Sequence, residues 1–149
     1  MSFTVKIEED NTEKIKNAVH DSILEGLDAA GVQAVSLATV EIQKEPQRVD
    51  TGLLKNSIAY AVVGKSAIPS TYSADSPDKD GNVRTGSYSG TAPDEGPDKP
   101  YVMIGTNVEY AVYVHEGTSR MKANRFLKNA IDENKSELRE IVVKELQKL

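Results

Sequence analysis

The sequence predicts an α+β fold on three observations. Helical spacing occupies both ends of the chain, two strand-like runs lie between them, and a stretch rich in proline, glycine, serine and aspartate separates the runs. A chain of 149 residues has room for one domain and one modest core. The expected unit therefore spans residues 1–149: a long N-terminal helix, a small sheet interrupted at 64–100 by a flexible loop or hairpin arm, and a C-terminal amphipathic helix.

Phe3, Val5 and Ile7 alternate with Thr4, Lys6 and Glu8 in a short strand-like start. Asp10 to Glu13 has the spacing of a capping box. From there Ile15, Val19, Ile23, Leu27, Ala30, Ala34 and Leu37 recur at steps of three and four, which puts them on one helical face. Lys14, Asn17, Asp21, Glu25 and Asp28 fall elsewhere, and Pro46 sets the end because the residue before proline avoids the helical region. Such a helix runs about 35 residues, or roughly 50 Å, against a radius of gyration of ~15 Å for a compact domain of this size. It must bend, with Gly31 the candidate hinge, or project beyond its own domain toward a partner. Ala18, Ala30, Ala34 and Ala38 permit close approach by another element.

Asp50 or Thr51 can cap a helical turn over Gly52 to Ser57, and Ile58 to Val63 reads as a strand ending at Gly64. Residues 64–100 hold five of the six prolines and half of the glycines, so no single helix or strand fills them. That segment is either a solvated excursion or a hairpin arm that orders on a neighbour, with Tyr72 and Tyr88 as anchors. Tyr101 to Thr106 is the returning strand. Val108 to Glu116 fits a helix by the spacing of Tyr110, Val114 and Gly117, and a strand by its tyrosine and valine content. Asn124 can cap a last helix carrying Leu127, Ile131, Leu138, Ile141, Val142 and Leu149, with Glu140 and Lys144 as a supporting pair.

Composition narrows the function. Without cysteine there is no disulfide framework and no thiolate ligand or nucleophile. No apolar run approaches the ~20 residues of a membrane span, and the N-terminus lacks the basic head and apolar middle of a signal peptide. A soluble intracellular product is expected. A net charge of -5 opposes simple adhesion to nucleic acid or an anionic membrane. Tryptophan is absent and phenylalanine occurs only at Phe3 and Phe126, so the core rests on aliphatic residues and a few tyrosines. A core that thin leaves room for neighbouring subunits to add stability.

Three motifs suggest chemistry and fall short of it. Gly64-Lys65-Ser66 resembles the end of a phosphate-binding loop, but the glycine needed five residues before the pair is Ala59. Asp78 to Asn82 resembles part of a calcium loop, but the first and twelfth ligand positions are Ser76 and Ser87. His115-Glu116 starts like a zinc-protease helix, yet the second histidine position is Ser119, and His20 is the chain's one other histidine. With no cysteine, a nucleophile would be Ser or Thr with His115 as base, and no serine sits in a nucleophile elbow. His115 therefore reads as a surface or interface residue, and neither a catalytic site nor a cofactor or metal site is expected. Arg120, Lys122, Arg125 and Lys128 form a basic cluster on an acidic chain. They are solvated side chains or, given the cost of basic charge at a helix start, the complement of Glu8, Glu9 and Asp10 of another subunit. DNA passing through a channel, in passive contact and with no specific nucleic acid expected, is the lesser alternative.

Val49-Asp-Thr-Gly-Leu-Leu-Lys-Asn-Ser-Ile58, Val102-Met-Ile-Gly-Thr106 with Tyr110-Ala-Val-Tyr-Val-His-Glu-Gly-Thr118, and Met121-Lys-Ala-Asn-Arg-Phe-Leu-Lys-Asn-Ala130 follow in order. Together they cover about a quarter of the chain. In order and spacing the set resembles the tailed-bacteriophage neck and tail-component family typified by the tenth gene product of coliphage Hong Kong ninety-seven. Arg125 and Asn129 stand where that family often has proline, which points to a looser helix start near Phe126. The resemblance implies an α+β subunit with a small antiparallel sheet, no enzymatic activity and no cofactor. It implies a structural place in the virion neck or tail after assembly in the host cytoplasm. There, copies would form a ring, a hexamer or dodecamer, between the head-closure or connector complex and the tail terminator or tail tube. Rings use head-to-tail interfaces, which suits an overhanging helix and an arm. A tail terminator or tail-completion protein is the nearest alternative; a hydrolytic or toxin-like enzyme and a DNA-binding module are the distant ones. Within this frame Thr51 and Gly52 make a tight capped turn pinned to the sheet by Leu53 and Ile58. Tyr110, Tyr113 and Val114 pack between sheet and helices. Gly117 permits a sharp exit toward Thr118. His115, Glu116, Arg120, Arg125 and Phe126 complete the candidate interface.

Overall fold

The computed structural model describes residues 2, 4, 9–44, 52–63, 70–77, 83–90, 100–106 and 108–149, with 63, 70–77 and 83–90 described by backbone alone. In chain order the elements are α1 (Thr12–Glu41), α2 (Leu53–Asn56), β1 (Ala59–Val63), β2 (Ser70–Pro77), β3 (Val83–Gly90), β4 (Tyr101–Gly105), α3 (Ala111–Glu116), α4 (Phe126–Asp132) and α5 (Lys135–Leu146). The fold is α+β: a long N-terminal helix, a small antiparallel sheet and C-terminal helices. The strand expected over Phe3 to Ile7, the cap expected from Asp50 or Thr51, and the Gly64–Ser66 and Asp78–Asn82 motifs fall on residues outside those described.

Helix α1 begins where Asp10 Oδ1 accepts the Thr12 backbone N–H at 2.9 Å. Hydrogen bonding from Thr12, by its side chain first and then its backbone N–H, lowers the Asp10 pKa. The reciprocal half of the expected capping box does not form, since Glu13 pairs forward with Lys16 at 3.1 Å. The helix has 30 residues, roughly 45 Å, and stops at Glu41, short of Pro46. Its last turn closes through the Ile42 N–H to the Ala38 carbonyl at 3.1 Å.

The buried face of α1 keeps Ala30 and Ala34 of the expected face and departs from it toward the N-terminus. Ser22, Gly26, Ala30, Ala34 and Ala38, spaced by four, are buried, whereas Ile15 and Val19 are 62% and 37% exposed. Small residues win because α5 and β1 approach closely. Helix α5 lies antiparallel along α1, with Ser22 Oγ donating to the Glu145 carbonyl at 3.0 Å and Gln33 Nε2 donating to Glu137 Oε1 at 2.7 Å. Gly31 is a contact point rather than a hinge. A Cβ there would lie 2.3 Å from Cδ2 of the Tyr60 ring, and Tyr60 Oη donates to Asp28 Oδ1 at 3.0 Å. Burial, then the Asp28 hydrogen bond, pushes the Tyr60 pKa up.

Strands β1 and β4 pair antiparallel from Ala59 opposite Gly105 to Val63 opposite Tyr101. Within the inserted segment β2 and β3 form their own antiparallel pair, with Tyr72 directly opposite Tyr88. The core collects Ala38, Ile42, Leu54, Ile58, Ala111, Val114, Phe126 and Ala130, and Phe126 is its largest fully buried side chain. Leu54, not Leu53, anchors α2. Beside it the buried Ser57 hydroxyl donates to the Leu54 carbonyl at 2.8 Å and lies 2.6 Å from Thr106 Oγ1, tying α2 to the end of β4.

Two further expectations are corrected. The C-terminal helix is two helices, α4 and α5, separated by Glu133 and Asn134, with the Asn134 side chain donating to the Ala130 carbonyl at 3.0 Å. Its ion pairs are Asp132–Lys135 and Glu145–Lys148 rather than Glu140–Lys144. By length and composition alone, α1 is long and apolar enough to cross a membrane. Within α1 an 18-residue window reaches a mean hydropathy of 1.3 with a third of it buried. In this fold the small-residue side of that window packs on the domain itself.

Candidate functional site

The segment singled out by sequence folds as helix, tight turn, helix. Over 111–116 helix wins over strand, because Ala111 and Val114, three apart, reach the core together. Val114 thus packs as expected. Tyr110 and Tyr113 do not: they are 43% and 59% exposed, on the outward side with Val112.

Gly117 ends α3 at φ +78°, ψ 179°, a region open essentially to glycine alone. A Cβ there would sit 2.7 Å from both the Met121 carbonyl oxygen and the Ala123 nitrogen. The chain then doubles back: the Thr118 N–H donates to the Met121 carbonyl at 2.8 Å and the Met121 N–H to the Thr118 carbonyl at 3.3 Å. Thr118 Oγ1 accepts the Arg120 N–H at 3.2 Å. The Asn124 N–H donates to the Val114 carbonyl at 2.9 Å and sews the turn to α3.

Asn124 is not the cap of α4. It is buried, and its side-chain amide reaches the Ile42 carbonyl at 3.4 Å. Arg125 occupies the cap position without a side-chain capping bond. The acceptor comes from α3 instead: His115 Nε2 receives the Lys128 N–H at 3.4 Å, one of the first-turn donors that a helix leaves unpaired. The other ring nitrogen, Nδ1, lies 2.6 Å from Glu116 Oε1. The neutral tautomer with its proton on Nδ1 satisfies both contacts. The ring also meets Phe126 edge to face, centroids 5.4 Å apart at 75°. Phe126 and Asn129 donate their N–H groups to Asn124 and Arg125 carbonyls at 2.9 and 2.8 Å. The helix start is therefore held, not loosened, without the prolines.

Glu116 carries the charge of the junction. The His115 hydrogen bond holds its carboxyl below the ordinary value, helped by the charges of Arg125 and Lys128, and Arg125 Nη2 approaches to 3.9 Å. With His115 occupied in positioning α4, the pair has a structural use. Among the described residues no three His, Asp or Glu side chains converge as a metal set.

Beside this junction runs an open groove of about 530 Å³ between the end of β4, α3 and α4. Its walls include Ile104, Val112, Leu127 and Ile131, with His115, Glu116 and Lys128 at its polar side. The fold brings His115, Glu116, Gly117, Thr118, Arg125 and Phe126 together, and Ile58, the residue before β1, reaches the same core. Gly52 (φ +80°) and Leu53 belong to the separate α2 turn, and Tyr72 and Tyr88 to the hairpin. Sequence reasoning missed the groove, whose walls are contributed by β4, α3 and α4. It also missed the role of His115, which depends on a partner 13 residues away. No family model, curated protein or solved structure matches the chain.

Proposed function

We propose that the chain is a non-enzymatic structural subunit of the head–tail junction of a tailed phage or prophage. Copies close into a ring between the portal-side connector and the tail. The observation that carries this reading is the overhang of α1. Ser22 meets the last turn of α5, so the preceding ten helical residues, Thr12 to Asp21, run about 15 Å past their partner helix. Residues 12–19 are exposed, Ile15 and Val19 among them. A helix that outruns its own core with apolar residues on the outrun part fits a subunit completed by its neighbours. The β2–β3 hairpin, set in the segment between β1 and β4, gives the subunit a second extension.

The order of elements supports the same reading, because the long helix, the small antiparallel sheet and the helices after Gly117 follow the family pattern that the motifs resemble. The reading needs no cofactor and gives the His115–Glu116 pair no catalytic task. Light scattering tests it: assembly to six or twelve times the 16.2 kDa subunit mass is expected, and loss of that mass on deleting residues 66–98 would make the hairpin part of the assembly. A protein that stays monomeric at high concentration, alone and with purified connectors or tail tubes, would contradict it. Reconstitution with those two partners separately assigns the neck or the tail-end position.

A further inference from the structure

We propose that the overhang of α1 in one copy docks in the groove between α3 and α4 of the next copy. The proposal rests on the ring reading and names its contact. Three features of the molecule support it.

The first is the match of shapes and surfaces. Ile15 and Val19, four apart, lie on one side of an exposed helical segment. The groove offers about 530 Å³ walled by Ile104, Val112, Leu127 and Ile131, within the ~300–1,000 Å³ range of binding clefts. An amphipathic helix laid into an apolar groove by side chains at i and i+4 is a common recognition mode.

The second is charge. The segment from Glu9 to Asp21 holds Glu9, Asp10, Glu13 and Asp21 against Lys14 and Lys16. At the groove Lys128 is an exposed wall residue and the exposed Arg125 lies 3.9 Å from Glu116, the one acidic residue of the wall. An acidic helix end would approach a basic rim, which steers the encounter and fixes its direction.

The third is reach. Phe126, at the groove, packs in one cluster with Ala38. Along α1, Ile15 is about 35 Å from Ala38. The overhang cannot fold back into its own groove, so its occupant site is on another copy. Because overhang and groove are different patches, the contact is head-to-tail, the kind that closes into a ring when the rotation permits.

Absence of cysteine from the chain makes the test clean. Ile15→Cys and Val112→Cys replace exposed side chains. The full chain carrying both, mildly oxidised, should give a ladder of disulfide-linked multimers on a non-reducing gel. Each single variant alone should give no more than background, and an equimolar mixture of the two should stop at the heterodimer. A double variant that links no better than the singles overturns the docking. So do single variants that form homodimers as readily, because that contact would be isologous. Light scattering of the same samples separates the two claims: ring mass without a ladder overturns the docking and leaves the ring, while monomer mass without a ladder overturns both. A ladder supports the docking at any mass.

Discussion

Replacing Gly117 by alanine puts a methyl group where the junction has no space and its backbone no tolerance. At φ +78°, ψ 179° a residue with a Cβ is strained by about 1–3 kcal/mol. The new atom would lie 2.7 Å from the Met121 carbonyl oxygen and the Ala123 nitrogen, both backbone atoms. Relieving the contact means opening the turn and forfeiting one or two of its hydrogen bonds, Thr118 to Met121 at 2.8 Å and Asn124 to Val114 at 2.9 Å, each worth about 0.5–1.5 kcal/mol. The expected loss is roughly 2–5 kcal/mol, or a fall of roughly 4–20 °C in melting temperature for a chain of this size. The assay is denaturant unfolding followed by circular dichroism, with Gly105→Ala as the control, since a Cβ at Gly105 meets nothing within 4 Å. A Gly117→Ala loss below about 0.5 kcal/mol, or one equal to that of the control, would refute the reasoning.

Gly31→Ala should destabilise by about 1–2 kcal/mol, the overpacking against Tyr60 exceeding the gain in helix propensity. In a Tyr60→Ala background the same change should become neutral or stabilising, and a double-mutant cycle without that reversal would contradict the contact. The Tyr60 phenol, with its folded pKa raised above 10.0, contributes stability that is complete below pH 10 and fades as pH rises through the folded value. The melting-temperature gap between wild type and Tyr60→Phe should therefore be constant up to that pH and narrow above it; a gap flat to pH 12 counts against the assignment. His115→Ala removes the ring contact with Phe126 and the acceptor for the Lys128 amide, at a cost of about 1–2 kcal/mol. Amide exchange at Lys128 should quicken, and unchanged protection there would show that His115 does not cap α4.

The sequence made the long helix, the two sheet strands and the C-terminal helicity legible because each repeats a simple period. On α1 the small-residue stripe of Ala30, Ala34 and Ala38 was legible, but apolar spacing carried the face on to Ile15 and Val19 and passed over Ser22 and Gly26. Burial there is decided by how closely α5 and Tyr60 approach, which small side chains permit. The split between α4 and α5 had a weak signal in the polar run Asp132 to Ser136, overridden by apolar spacing on either side. Asn124 has the composition of a cap, yet its side chain is drawn into the core by the Ile42 carbonyl. The acceptor that α4 uses sits on another helix, beyond any local pattern rule. Gly117 was readable for a physical reason: an abrupt stop after a helical spacing demands a conformation that other residues resist.

The most direct test of the account is electron microscopy of the purified protein in negative stain. Closed annuli of uniform diameter with cyclic symmetry, lost when Ile15 and Val19 are both replaced by aspartate, are the predicted result. A monodisperse monomer would contradict the ring, as would open filaments or annuli indifferent to the overhang contradict the contact through which it is said to close.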